Sequence, residues 1–352
     1  EIPLNNVNLS LINTQDNVEK KLLSDPAGKA VFTGLPAGTY NLNVTEPRED
    51  GEYTLTGTAN SIVVNMKQET SIEVVLDALI SNTGLVIKEV YTAGANDKNV
   101  SLFKDQFIEI FNNSSEVIYA DSLYVGHVYP DKWNRTMPQP YGQMLDIENY
   151  SFLEWIYRIP GNGKQYPIQP SKSIVIALNA INFKEGNPQA DKAVDNSGSD
   201  FETYAIPWLE QQGRSGNAYF DFDNPDVPNV VPVYLPHPNN YFMMDQYSCA
   251  MVIFRKKVDF QESDLYTFKF VNKSGKDTEA ILMKLPVESI IDGVDILLNS
   301  TIGTMKKLPA KIDASFTYLK PDGNPFYSGL SLRRKIDANA TAKFGRVILQ
   351  NL

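Results

Sequence analysis

The chain has 352 residues, 42% of them hydrophobic, and a formal net charge of −10 at pH 7. That length suits about two domains of roughly 150 residues each, and the apolar content is ordinary for packed cores. A balance this acidic repels phosphate backbones and anionic headgroups, which argues against nucleic acid as a partner.

Residues 1–79 read as a small all-β domain. Val7, Leu9 and Leu11 alternate with Asn8 and Ser10, the period of a half-buried strand. Asp25–Lys29 (DPAGK) is a turn in which Pro presets φ and Gly supplies positive φ. Past the Leu35-Pro36-Ala37-Gly38 turn, Tyr40, Leu42 and Val44 alternate again. Further strands are predicted at Tyr53–Thr56, Ser61–Asn65 and Ser71–Leu76. The run GKAVFTGLPAGTYNLNV resembles the prealbumin-like modules of carboxypeptidase regulatory domains and collagen-adhesin stalks. There, F-x-G-L-P-x-G-x-Y is a hairpin that packs an aromatic pair into the core. The resemblance implies an immunoglobulin-like sandwich acting as a stalk or spacer.

Residues 80–83 read as a linker, and a larger domain occupies 80–352. Its first stretch, Gly84–Asn113, holds two apolar runs, Leu85–Val90 and Gln106–Phe111, and ends in Asn112-Asn113, which suit a strand-ending turn. Further strands are predicted at Leu123–Val128, Ser173–Leu178, Cys249–Arg255, Tyr266–Val271, Ala280–Lys284, Ser289–Leu298, Leu330–Lys335 and Arg346–Leu349. The best helix candidate is Leu145–Ile159, with Asp146 or Asn149 as N-cap, although its aromatics also suit a strand. Three pieces resemble lamin-tail-like domains: LVIKEVY with DQFIEIFNN (Glu89, Phe107, Ile108, Glu109, Ile110 and Asn112), YPIQPSKSIVIAL at Tyr166–Leu178, and YSGLSLRRK at Tyr327–Lys335. The resemblance implies an immunoglobulin-type β-sandwich. Such domains are usually far shorter. Here two insertions, 129–166 and 179–248, separate the matching strands. The second carries ten aromatics between Phe201 and Tyr247, too many for a disordered loop.

Catalytic parts are scarce. The two histidines, His127 and His237, read as strand-end and loop residues, and no G-x-S-x-G elbow occurs. The lone Cys249 excludes an internal disulfide, and its apolar run predicts a buried, inert thiol. Tyr219–Asn229 (YFDFDNPDVPN) sets Asp221, Asp223 and Asp226 close enough to offer several hard oxygens to Ca²⁺, the one cofactor the sequence offers. It lacks the EF-hand Gly and Glu, and a solvated acidic loop is the plainer reading. Asp191, Asp195 and Asp200 form a looser acidic stretch. Trp133, Tyr141, Trp155, Tyr204 and Trp208 all fall in the insertions. Exposed rings of this kind stack on sugars or on a protein partner; the plainer alternative is that they form the insertions' own small core. Lys306-Lys307 and Arg333-Arg334-Lys335 read as edge charges that discourage strand pairing, Arg333 and Arg334 as structural parts of the closing strand.

The two-part organisation resembles exported, lipid-anchored proteins of Bacteroidetes-type bacteria. A start at Glu1 without Met or signal peptide raises the expectation that an upstream export or lipidation segment has been removed. Taken together, these readings predict an all-β, non-enzymatic cell-surface or outer-membrane adhesion protein. Its insertions would bind a glycan or protein, and the lipid would be its only membrane contact. The alternatives are a metal-dependent hydrolase using Asp221–Asp226 and a structural envelope component.

Overall fold

The computed structural model describes residues 3–47, 53–80, 84–95, 103–129, 138–185, 192–216, 218, 220–236, 242–246, 248–256, 258–299, 303–320 and 326–350. The predicted linker lies almost wholly outside these residues.

The first region is a five-stranded antiparallel sheet of β1 (Asn8–Asn13), β2 (Glu19–Leu23), β3 (Gly38–Pro47), β4 (Tyr53–Val64) and β5 (Asp77–Ile80), in the order β2-β1-β3-β4-β5. Alternation in β1 and β3 puts Leu11, Tyr40, Leu42 and Val44 on one face with Val7. Segments that pass over the sheet cover that face, through Phe32, Leu35, Val74 and Leu76. Phe32 and Tyr40 of the F-x-G-L-P-x-G-x-Y run share this core, and the Tyr40 hydroxyl donates to the Pro36 carbonyl at 2.8 Å. Two predicted strands merge into the long β4. Its Ser61 takes positive φ and donates its N–H to Asn41 Oδ1, a bulge that lets the strand bend rather than stop. The predicted strand at Ser71–Leu76 is instead an extended segment lying across β4. A Cβ on Gly57 would meet Leu76 and Val74 at 2.6 and 2.7 Å, so glycine is required there.

The second region contains β6 (Leu85–Tyr91), β7 (Phe107–Asn112), β8 (Ile118–Tyr119), β9 (Tyr124–Val128), α1 (Tyr141–Met144), β10 (Tyr150–Arg158), β11 (Pro167–Ile168), β12 (Ser173–Ala177), β13 (Phe201–Thr203), α2 (Ile206–Gln211), β14 (Asn229–Tyr234), β15 (Cys249–Phe254), β16 (Leu265–Val271), β17 (Asp277–Pro286), β18 (Ile290–Ile296), β19 (Leu332–Arg333) and α3 (Ala338–Phe344). Twelve strands make one continuous sheet, running β18-β15-β9-β10-β14-β13-β12-β7-β6-β19, with β17 also on β10 and β16 on β17. The three pieces read as lamin-tail-like come together as neighbours, β19-β6-β7-β12. Short parallel pairs, β12–β13 and β13–β14, join this half to the β10 half. The sheet folds back on itself as a sandwich, and its two ends are clasped. Buried Asp292 of β18 accepts from Arg334 Nη2 and from the Ile87 N–H, both at 2.7 Å. Between the halves lies the main core, with Ile108, Ile110, Trp155, Tyr157, Phe201, Phe242 and Met251. Alternate residues of β15 and β10, among them Val252, Phe254, Leu153 and Ile156, face a second core on the outer side.

The predicted helix at Leu145–Ile159 is overturned: most of it is β10, central in the sheet and buried throughout except at its two end residues. Apolar residues on both faces erase the period-two signal and mimic the density of a buried helix. β14 was not anticipated because Pro232 interrupts it. Proline is tolerated there because the β10–β14 register shifts at Ile156/Tyr157, opposite Pro232. Nor is Arg346–Leu349 a strand. α3 precedes it, capped by the Asp337 carboxylate and closed by Gly345 in the left-handed region, and only the Ile336–Leu349 bridge remains. No helix among the described residues is long and apolar enough to cross a membrane.

Candidate functional site

The aromatic residues expected to present a surface are largely internal. Trp155 is fully buried in the main core, stacked on His127 at 5.2 Å, with Nε1 donating to the Met243 carbonyl at 3.1 Å. Tyr141 is buried in a separate core, and its hydroxyl donates to the Tyr129 carbonyl at 3.0 Å. Trp208 on α2 is half-buried against the main core, and Tyr204 is half-buried beside the acidic loop. Trp133 lies outside the described residues, as does His237. Three of the five rings thus pack against cores. A sandwich this wide has to be filled with large side chains before any are left for a surface.

The acidic loop also turns inward. Asp221 is buried, and its Oδ2 accepts from the Ala205 and Ile206 N–H groups at 2.9 and 3.2 Å, at the start of α2. Burial pushes its carboxyl up to about 7, against those two hydrogen bonds and with help from Glu202 and Asp223. Glu202 is buried beside it and also raised by burial; it accepts from the Ala180 and Asn224 N–H groups. Asp223 and Asp226 are exposed, and Asp223 accepts from Asn229 Nδ2 at 3.2 Å. Among the described residues no three His, Cys, Asp or Glu side chains converge as metal ligands. Asp221 thus braces the loop against the start of α2 through Oδ2, while its Oδ1 is buried with no hydrogen-bond partner among the described residues. Asp195 binds Ser197, and Asp200 binds the Val175 N–H; Asp191 lies outside the described residues.

The basic pairs correct an expectation too. Lys307 is not an edge charge but is buried, 3.2 Å from Asp295 Oδ1 and donating to Ser248 Oγ at 2.8 Å. Arg333 pairs with Glu89 at 2.8 Å, and Arg334 with Asp292. His127 is buried inside β9, with Nδ1 3.4 Å from Glu154 Oε2. Burial raises the Cys249 thiol far above its ordinary value, which leaves it unreactive.

A different set of residues makes an open groove of about 420 Å³. Three neighbouring strands form its base: Tyr124 on β9, Arg158 at the end of β10, and Val231–Tyr234 on β14. The chain leaving β15 forms the far wall with Asp259, Phe260, Gln261 and Glu262, held by a 3-10 turn in which Gln261 and Asp264 cap each other. Tyr124 stacks on Phe254 at 5.1 Å and meets Phe260 edge-on at 6.1 Å. The Tyr234 hydroxyl is spent on the Ile281 carbonyl at 2.7 Å, and burial raises its pKa to about 12. The Arg158 guanidinium lies 6.0 Å from the Tyr124 ring centroid. Its Nε is shielded from solvent and has no hydrogen-bond partner among the described residues. Arg158 and β14 both come from the predicted insertions. The groove residues themselves went unread in the sequence. The legible hint was Arg158, a charge closing the aromatic-rich run Phe152–Tyr157 just before Ile159-Pro160-Gly161. A second recess, about 430 Å³, is lined by Lys269–Val271 and Asp277–Glu279 of one hairpin, where Lys269 and Glu279 pair at 2.9 Å.

Residues 169–351 match the family described as "Protein of unknown function (DUF4876)", and residues 1–77 match the "Prealbumin-like fold domain". The comparison with curated proteins gives no match. A solved structure, a DUF4876 family protein from Bacteroides thetaiotaomicron, is similar with a TM-score of 0.61 at 22% identity, covering 100% of this chain and 89% of that one. At that identity the likeness concerns the fold.

Proposed function

Because this chain belongs to the DUF4876 family, matching it over just over half its length, and the family description brings no activity, we propose a function from the groove. The protein is a non-enzymatic binding protein of the bacterial cell surface. The groove holds a glycan, and the prealbumin-like region is a spacer. The carrying observation is the groove's make-up: half-buried Tyr234 and Phe260, an Arg158 that makes no hydrogen bond or ion pair among the described residues, and the carboxylates Asp259 and Glu262, on a three-strand base. Side chains of this kind hold a ligand by stacking and hydrogen bonds. Among the described residues no His, Ser or Cys lines the groove. Export and a lipid anchor belong to this proposal on the resemblance to exported lipoproteins alone. The test is a glycan array with the intact chain and with Phe260→Ala and Tyr234→Ala. A hit retained by the intact chain, weakened about tenfold or more by either variant, and recovered uncleaved supports the reading. A hit indifferent to both variants removes it, and release of shorter sugars makes the protein an enzyme.

A further inference from the structure

Arg158 separates one kind of ligand from another. It ends β10, in register with Tyr124 on one side and Val231 on the other, so its backbone position is fixed by two neighbouring strands. Among the described residues its side chain makes no hydrogen bond or ion pair, and its Nε is cut off from water. Two carboxylates line the same groove, yet neither pairs with it. Asp259 instead accepts from the Tyr124 hydroxyl at 3.4 Å, whereas Arg158 sits over the ring of the same tyrosine. The groove therefore presents a fork of donors over the Tyr124 ring and an acceptor, Asp259, at that ring's hydroxyl, with Glu262, Phe260 and Tyr234 also lining it.

We infer that the groove selects a saccharide carrying a carboxylate, which Arg158 takes as a two-point partner while Asp259 and Glu262 accept from sugar hydroxyls. The inference rests on the glycan-binding role proposed above. A guanidinium fork matches a planar carboxylate in both charge and geometry. A neutral sugar would satisfy the acceptors and rings but leave Arg158 without its anion. A densely sulfated or phosphorylated chain would bring several negative charges against Asp259, Glu262 and a protein of net charge −10. A single carboxylate on a hydroxyl-rich ring meets all three requirements.

The test is calorimetric titration of the full chain with matched probes that carry one carboxylate or none: galacturonic acid and its methyl ester, and sialyllactose and lactose. Charge-assisted hydrogen bonds of this kind correspond to a preference of about 10- to 100-fold for one acid over its neutral partner. Arg158→Gln should abolish the preference while leaving weak binding to the neutral probe, and Arg158→Lys should restore only part of it. Because Arg158 makes no hydrogen bond or ion pair among the described residues and would lose only its place over the Tyr124 ring, the melting temperature of Arg158→Gln should stay close to that of the parent; a large fall would assign the residue a structural role and overturn the inference. Asp259→Asn supplies a check that does not touch Arg158; it should weaken the neutral probe and leave the preference for the acid in place or larger, because it removes an acceptor and a negative charge together. Equal affinity for acid and neutral members would overturn the inference and leave glycan binding standing. Binding of neither member of any pair would remove both.

Discussion

The five-stranded region and the twelve-stranded region bury their strands differently. In the first, one face of the sheet carries a thin core around Tyr40 and Leu42, while Leu23, Val31, Val63 and Val75 stay on the surface. In the second, β10 and β15 are covered on both faces. Charged groups caught inside such a sheet have no water to turn to, and these pair with other buried polar groups: Arg334 with Asp292, Lys307 with Asp295 and Ser248. The lesson is that one-sided burial tolerates error and two-sided burial does not.

The largest break should come from Arg334→Ala. It strands Asp292 in the interior, where burial already raises its pKa against the opposing pull of Arg334. Removing one partner of a buried pair costs about 3–5 kcal/mol. All three tryptophans lie in the second region, so tryptophan fluorescence during urea unfolding reads that region alone. Its midpoint should fall sharply; an unchanged midpoint would show that the clasp is decorative. Leu42→Ala, in the thin core, should cost about 2–3 kcal/mol. That loss should appear in amide exchange of residues 3–80, with the fluorescence transition unmoved. A shifted fluorescence transition would show that the two regions unfold together.

The buried acids give a dependence on pH. The Asp221 carboxyl lies at about 7 in the fold against 3.8 ordinarily, and Asp313 is pushed by burial to about 6. The folded chain therefore binds more protons than the unfolded one between pH 3.8 and about 7. From these groups, stability rises as pH falls through that window and is lowest above pH 7. Asp121 runs the other way. Burial would raise it, but N–H donors from Gln165, Tyr166 and Gly163 hold it below its ordinary value, so its contribution is lost only in acid. Asp221→Asn should raise the melting temperature at pH 7.5 and flatten its dependence between pH 6 and 7.5. A slope identical to the parent's would mean that Asp221 is not the group titrating there.

What the sequence shows follows the same division. Tyr40, Leu42 and Val44 announce their strand because only one face is buried, and the turn at Leu35–Gly38 adds its own chemistry. β10 hides because its seven interior positions are all buried, with only Ser151 and Glu154 polar among them, and a run that is largely apolar on both faces fits either a strand or a helix. β14 hides behind Pro232, whose compatibility with a strand depends on the register shift in its partner. Exposure was the least legible property. Trp155 and Trp208 look alike in sequence, but one fills the centre and the other sits half-open against it. The groove was unreadable for a related reason. An arginine's lack of a partner is a fact about what surrounds it in space, and β9, β10, β14 and the 259–262 wall meet only in the fold.

The smallest expected effect sharpens the contrast between the regions most directly. Val31 in the first region is 73% exposed, whereas Val252 in β15 is 0% exposed. Both become serine by similar chemistry. Val31→Ser removes apolar surface that was already in water and should change stability by no more than about 0.5 kcal/mol. Val252→Ser places a hydroxyl among Tyr124, Leu153, Phe254 and Leu285, costing a cavity and an unsatisfied donor together, about 2–4 kcal/mol. Urea midpoints of the two variants, read by circular dichroism, measure the difference. If Val31→Ser destabilises as much as Val252→Ser, Val31 is covered in solution and the first region presents a contact surface. If both are mild, the second core is loosely packed, and the contrast between one-sided and two-sided burial fails at β15.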